Sequence, residues 1–282
     1  MTKYLSIYEP TNTLLSLRND AVLKLYFANK SNRPQLRAFL KATTHLTDDD
    51  LAIIEVHNAI LTKEHVQEKD FIVDIHLTST TGHKIIIEMQ IQKHDHFIER
   101  MVSYNARRYS TQLNRGEKYT QLKESISLII VDFPIFDDTS TCYEHILFRR
   151  KNGRVFTKAQ QFYIIDLTKL PNDLTEDMHK WGALLKAKTE EELRMLMEQS
   201  DEMREAGEKL IELSADENAR EIADAREYSR LAFEGELFAR EERGRKEKAI
   251  EMATSLLKSG MPTEEVAKHS KLPLEEIKQL TQ

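Results

Sequence analysis

FIVDIHLTSTTGHKIIIEMQIQ, residues 71–92, alternates apolar and polar side chains on either side of a short polar stretch, which is the pattern of strand, turn and strand. Alternate side chains of a strand share a face. One face carries Phe71, Val73, Ile75 and Leu77, then Ile85, Ile87, Met89 and Ile91, an unbroken apolar set. The other carries Asp74, His76 and Thr78, then Lys84, Glu88, Gln90 and Gln92, with only Ile72 and Ile86 among them. If Thr80, Thr81 and Gly82 form a three-residue loop with Gly82 in the left-handed conformation, Thr78 pairs with Lys84 and Asp74 with Glu88. Paired Cα atoms stand about 5 Å apart, so two like charges there repel unless a cation lies between them. Mg²⁺, or Mn²⁺ in its place, suits hard oxygen ligands, and the main-chain carbonyl of Met89 offers a further donor. The residues alone also permit a plain solvated sheet face.

Elements on both sides of the hairpin follow the same kind of reading. NDAVLKLYFA and PQLRAFLKAT predict two helices, with Pro34 in the first turn of the second. LAIIEVHNAIL has strand character from Ile53, Ile54 and Val56, although a helix fits its spacing as well. Residues 97–114 predict a polar helix, and SISLIIVDF a strand apolar on both faces and therefore central. CYEHILFRRKNGR and QFYIIDL predict further strands, with a turn at Asn152-Gly153. Beyond Pro171 the pattern is helical, with breaks near Gly260 and Pro273. Helices, then a sheet, then helices imply an α/β or α+β domain with a C-terminal all-helical extension.

The chain of 282 residues is long enough for a substantial core, and 31% of it is charged. No aliphatic run approaches the length of a membrane span, and no secretory leader is evident at the start, so no membrane partner is expected. One cysteine, Cys142, excludes an internal disulfide framework and points to a reducing cytoplasm. The net charge of −6 hides an uneven distribution: residues 190–250 hold 19 Asp/Glu against 11 Lys/Arg. Residues 93–123 hold seven Lys/Arg against three Asp/Glu, a local surplus suited to phosphate. In the helix that follows the hairpin, Arg100, Tyr104, Arg107 and Thr111 recur at helical spacing as a basic-aromatic stripe, with Ile98, Met101, Val102, Tyr109 and Leu113 expected to face the core. The stripe is equally compatible with an ordinary solvated face.

Four blocks in order resemble the PD-(D/E)XK nuclease superfamily, in its recombination-promoting (Rpn) branch, often described as transposases. NDAVLKLYF is similar to the opening helix of that family, with Asp20 and Lys24 at its marked positions. EKDFIVDIHL resembles its metal-binding aspartate strand, and GHKIIIEMQIQ its E-x-Q strand. FIERMVSYNARRYSTQLNRGEKYTQL resembles the next helix and turn, and ISLIIVDFPIF the next strand. The resemblance implies a restriction-endonuclease-like mixed sheet flanked by helices and a Mg²⁺-dependent DNA endonuclease linked to recombination, mobile elements or defence. It also implies catalytic roles for Asp74, Glu88, Gln90 and Asp20, metal binding by Asp74, Glu88 and the Met89 carbonyl, and DNA contacts from Lys24, Arg100, Tyr104, Arg107 and Arg108. For Asp20, a helix N-cap or an ion pair with Lys24 competes with that role. Gln90 stands where the wider superfamily has lysine. A neutral amide orients by hydrogen bonds and brings no charge, so a catalytically weak or inactive DNA-binding or regulatory protein is the alternative. Lys69 and Lys84 are candidates for the missing charge, with Lys84 four residues from Glu88 on a strand.

The expected organisation is a nuclease core over residues 1–188, a charged helical arm over 189–245 and a small helix-turn-helix-like tail over 246–282. Glu275 and Glu276 stand where a recognition helix would meet phosphate, so self-association through the helical C-terminal region, as a homo-oligomer, is expected there rather than DNA reading. His94 and His96 have ligand-like spacing with nothing to complete a zinc site. His76 and Cys142 read as a surface histidine and a packing thiol.

Overall fold

The computed structural model describes residues 14–57, 75–93, 95–138 and 140–280. Asp74, Lys69 and His94 lie outside them. Asn19 caps the first helix, α1 (Asp20–Ala28), by accepting from the backbone N–H groups of Ala21 and Val22 at 3.0 and 3.3 Å. Pro34 sits in the first turn of α2 (Arg33–Thr43) as expected. The strands are β1 (Ile54–His57), β2 (Ile75–Ser79), β3 (Lys84–Gln90), β4 (Ser125–Val131), β5 (Tyr143–Arg149) and β6 (Val155–Asp166). They form one mixed sheet in the order β1-β2-β3-β4-β6-β5, in which β3, β4 and β6 run parallel. All seven residues of β4 are buried, which is the central strand that its two-sided apolar sequence predicts. Helix α3 (Phe97–Ser110) connects β3 to β4. After β6 come α4 (Asp177–Lys186), α5 (Glu190–Met197), α6 (Asp201–Ala215), α7 (Glu217–Lys258), α8 (Thr263–Ser270) and α9 (Leu274–Leu280). Among the described residues no helix is long and apolar enough to cross a membrane.

The main core lies on one face of the sheet. Ile75, Leu77, Ile85, Ile87 and Met89 of the hairpin meet Leu36 and Leu40 of α2 and Trp181 and Leu185 of α4 there. Phe27 stacks on Phe39 at 4.8 Å, and Trp181 closes the group. On the opposite face, Phe97 and Met101 of α3 cover Ile129, Val131 and Ile164.

The chain divides into compact units at 1–227 and 228–282. The first therefore extends past the expected boundary at 188. Leu193, Leu196, Met203, Ala206 and Leu210 are buried in the main core, so residues 189–227 are part of the folded body and not of a separate arm. Their helices are amphipathic, and the high charge of this stretch sits on the outer faces. Thr189 forms a capping box with Glu192, and Ser200 caps α6, which accounts for the breaks. In the second unit Ala253, Val266 and Ile277 form a small core joining the end of α7 to α8 and α9. Gly260 makes the first turn at φ +85°, and Glu276 pairs with Lys246 at 3.0 Å.

Two polar networks, one buried and one partly exposed, tie the sheet together. Asn105 on α3 is fully buried, and its amide donates to the Ser125 carbonyl at 3.1 Å, the Ser127 hydroxyl at 2.9 Å and the Gln161 carbonyl at 3.3 Å. At the N-terminal ends of the parallel strands, His45 Nδ1 lies 2.5 Å from the Tyr163 hydroxyl and its Nε2 lies 3.1 Å from Glu124. Gln161 donates to Glu124 at 2.7 Å and shares a hydrogen bond with His145 at 2.9 Å. Burial lowers the pKa of His45, the Glu124 carboxylate opposes that shift, and the charges of Lys158 and His83 add to it.

Asn105→Leu leaves two buried carbonyls and a hydroxyl without this donor, at a cost of about 3 kcal/mol. Thermal unfolding should show the midpoint falling by roughly 6–12 °C. His45 is held neutral in the fold below its ordinary value of 6.5. Its contribution to stability is complete above about 6.5 and is lost as the pH falls through the lowered folded value. Denaturant titrations at pH 7 and at about pH 5.5 should differ less for His45→Gln than for the parent chain.

Candidate active site

The hairpin has the register that a three-residue loop imposes. Ile75 pairs with Ile87, His76 with Ile86, Leu77 with Ile85 and Thr78 with Lys84. Gly82 adopts φ +92°, a conformation that costs glycine nothing and other residues a steric penalty, and its N–H donates to the Ser79 carbonyl at 2.9 Å. Asp50 pins the loop: its carboxylate accepts from the Thr47 N–H at 2.9 Å and the Thr81 hydroxyl at 2.7 Å, bonds that hold its pKa down to about 2. The position facing Glu88 in the sequence-based pairing is Asp74, which lies outside the described residues.

The polar face of the hairpin is not an open, solvated one. Glu88 is 6% exposed and Ile86 is buried, while His76, Thr78, Lys84 and Gln90 are half-buried. A carboxylate so far removed from water needs charged or hydrogen-bonding partners, and the structure supplies both. Gln90 Nε2 donates to Glu88 Oε1 at 3.1 Å, and Arg100 Nη2 reaches the same oxygen at 3.4 Å. The Arg100 guanidinium also lies over the Phe97 ring at 5.7 Å, so α3 fixes its place from two directions. Glu88, Gln90 and Arg100 are thus one group. Met89, between the two polar residues, sends its side chain into the main core.

The remaining candidates are distributed differently from the sequence reading. The cap of α1 is Asn19 and not Asp20. Both oxygens of Asp20 receive Arg226 from the start of α7, at 2.8 and 2.5 Å. Lys24 is 2% exposed on α1, which packs on β2 and β3, so it is not an outer contact for a duplex backbone. Arg108 is clamped to β2 by hydrogen bonds to His76 Nδ1 at 3.0 Å and the Leu77 carbonyl at 3.1 Å, so His76 is not a plain surface histidine. Lys84 reaches back to the Thr78 hydroxyl at 3.3 Å, at the turn end of the hairpin.

The expected inward face of α3 also needs correction. Ile98 and Val102 are 48% and 45% exposed, while Phe97, Met101 and Asn105 are buried and Tyr104 is half-buried. The helix turns its 97-101-105 stripe to the sheet because the space over Ile129, Val131 and Ile164 admits Phe97 and Met101, and the buried acceptors below take the Asn105 amide. Arg107 remains exposed on the outer side. Asn105 was missed because a single asparagine in a polar helix carries no sequence signal. Cys142 is buried in the main core, as expected of a packing thiol.

Among the described residues no group of three or more His, Cys, Asp and Glu is arranged to hold a metal ion. The Glu88 carboxylate is a hard oxygen donor of the kind that suits Mg²⁺, and a second carboxylate would have to come from Asp74. No curated protein and no solved structure matches the chain. The family model described as "PD-(D/E)XK nuclease family transposase" matches residues 17–232, from the turn before α1 to the early part of α7. A mixed sheet with a buried glutamate and a half-buried glutamine on its third strand, beside a basic helix, is the setting in which that match falls. The chain belongs to the PD-(D/E)XK nuclease family transposases.

Proposed function

We propose that this protein is a Mg²⁺-dependent DNA endonuclease of the cytoplasm that hydrolyses phosphodiester bonds, in the setting of recombination, mobile elements or defence. The observation that carries this reading is the burial of Glu88 on β3 with Gln90 and Arg100 on a single carboxylate oxygen. Asp74 precedes Ile75 in the chain, and Ile75 pairs with Ile87, the residue before Glu88. Asp74, Glu88 and the Met89 carbonyl would hold the divalent cation, with Mn²⁺ as its substitute. A bound cation supplies charge neutralisation at the scissile phosphate and lowers the pKa of a coordinated water.

The residues of the chain do the rest. Gln90 holds the Glu88 carboxylate in orientation through its amide N–H. Arg100 brings the positive charge that Gln90 lacks, and its fork geometry allows it to bind a non-bridging phosphate oxygen while remaining close to Glu88. Arg107, exposed on the same helix, and the half-buried Tyr104 would hold the DNA backbone on one side of the reacting phosphate. The ion pair of Asp20 with Arg226 assigns Asp20 to the docking of α7, and we leave it out of the ligand set.

A second reading has its own support. Arg100 already neutralises Glu88 within the fold, which is the arrangement expected of a DNA-binding or regulatory protein that kept the nuclease core without its chemistry. Supercoiled plasmid separates the two. With Mg²⁺ the full chain should nick it, and Glu88→Ala or Asp74→Ala should reduce the rate by about a hundredfold or more. DNA binding without nicking in either Mg²⁺ or Mn²⁺ would establish the second reading. Arg100→Ala should slow nicking by roughly ten- to a hundredfold, while binding to DNA in EDTA changes by less than about tenfold.

A further inference from the structure

The hairpin formed by β5 and β6 does not end where the sheet ends. β4 pairs with β6 only from Gln160 to Asp166, and the earlier residues of β6 have β5 alone as a neighbour. Register shifts separate Leu147, paired with Gln161, from Phe148, paired with Thr157, so the outer part is offset from the sheet by a bulge. Its tip is a tight turn closed by Gly153 at φ +79°, with the Arg150 N–H donating to the Arg154 carbonyl at 2.8 Å and the Gly153 N–H to the Arg150 carbonyl at 2.9 Å.

The composition of this ribbon is unlike that of the rest of the chain. Residues 145–158 contain Arg149, Arg150, Lys151, Arg154 and Lys158 and no Asp or Glu, in a protein of net charge −6. All five bases are exposed, and none forms an ion pair with a described residue. Large apolar side chains stand among them: Phe156 is 74% exposed and Phe148 49%. A folding argument explains neither the exposed phenylalanines nor the unneutralised charge, because both are costs to an isolated chain.

We infer that the β5–β6 ribbon is a nucleic-acid-binding arm that lies along a groove of duplex DNA, its bases on phosphates of both flanking strands and Phe156 against the sugar-base surface. This rests on the reading of the protein as an enzyme of DNA. A two-stranded ribbon fits the width of the major groove, and exposed bases interleaved with aromatics are the surface that binds a phosphate backbone without reading sequence. Glu88 pairs with Ile129, and Ile129 with Ile164, so Ile164 marks the row of the candidate active site on β6. From there to Phe156 the strand runs on the order of 25 Å, about seven base pairs of duplex. The arm therefore holds DNA to one side of the reacting phosphate, which gives this chain a grip that is separate from α3.

The test is equilibrium binding of the full chain to a fluorescein-labelled duplex of about 30 base pairs in EDTA, repeated between about 50 and 200 mM salt. The combined variant Arg149→Ala, Arg150→Ala, Lys151→Ala and Arg154→Ala should bind at least about tenfold more weakly. The slope of log K against log salt should fall by up to about 3.6, because each of four lost phosphate contacts removes roughly 0.9. Phe156→Ser should weaken binding several-fold with the slope unchanged. Circular dichroism and melting should match the parent chain for both variants. Unaltered affinity and slope in the combined variant, with a parent chain that binds and nicks DNA, overturns the arm and leaves the endonuclease reading intact. A parent chain that neither binds nor nicks DNA overturns both. Binding to phosphatidylserine–phosphatidylcholine vesicles that depends on the arm, with DNA binding that does not, assigns the ribbon to a membrane surface and overturns the inference.

Discussion

The conformation of Gly82 sets the register of β2 on β3, and a sheet has no half-measures in register. With β3 held by β4, a slip of one residue would send Ile75 and Leu77 to the face under α3 and turn His76 and Thr78 into the aliphatic core. With the loop held by Asp50, Thr80 and Thr81, the apolar set stays on the side of α1, α2 and α4, and the polar set faces α3. Every later feature of the site inherits this choice. Glu88 is held in its row by the pairing of β3 with β4, and the positive φ of Gly82 brings β2 into step beside it.

The second constraint comes from α3. It packs over β4 and β6 and reaches the polar face of the hairpin with long side chains, and it satisfies the groups beneath it with three different residues. Asn105 supplies hydrogen bonds to two strands at once, Arg108 grips β2, and Arg100 meets Glu88. A lysine in place of Gln90 would share the strand with Glu88. Here the cation arrives from another element, which ties the charge at the site to the docking of a helix. Arginine is also suited to this by its planar fork and its weaker hydration, since it is half-buried against Phe97.

Charge is arranged across the molecule in a manner that the net value conceals. The helices of residues 190–250 carry the acidic surplus on their outer faces, while the ribbon between β5 and β6 carries only bases. An acidic body limits indiscriminate adhesion to polyanions, and a projecting basic element confines attraction to one place. The small core of Ala253, Val266 and Ile277 forms a separate three-helix cluster, in which Glu276 of the last helix is matched by Lys246 within the same unit.

Much of the fold was legible in residues 71–92 and 125–166, because periodicity of two and Asn-Gly or Gly turns act locally and need no knowledge of the rest of the chain. The central position of β4, the Gly82 register and the burial of one hairpin face all followed from side-chain alternation. The phase of α3 differs from the sequence reading because Ile98 and Val102 are more apolar than Asn105, while the sheet below presents acceptors that the Asn105 amide bonds. The first helices of the charged stretch were taken for an arm because overall charge masks a narrow apolar stripe, which becomes recognisable only against the core it fills. At the candidate site, chemistry at Glu88 and Gln90 could be read from adjacency on one strand. The pairing of Arg100 with Glu88, of Arg226 with Asp20 and of Arg108 with β2 could not, since each joins residues far apart in the chain whose meeting depends on how helices pack. Local alternation is written in neighbouring residues, whereas the partners of buried charges are chosen by the close packing of the whole.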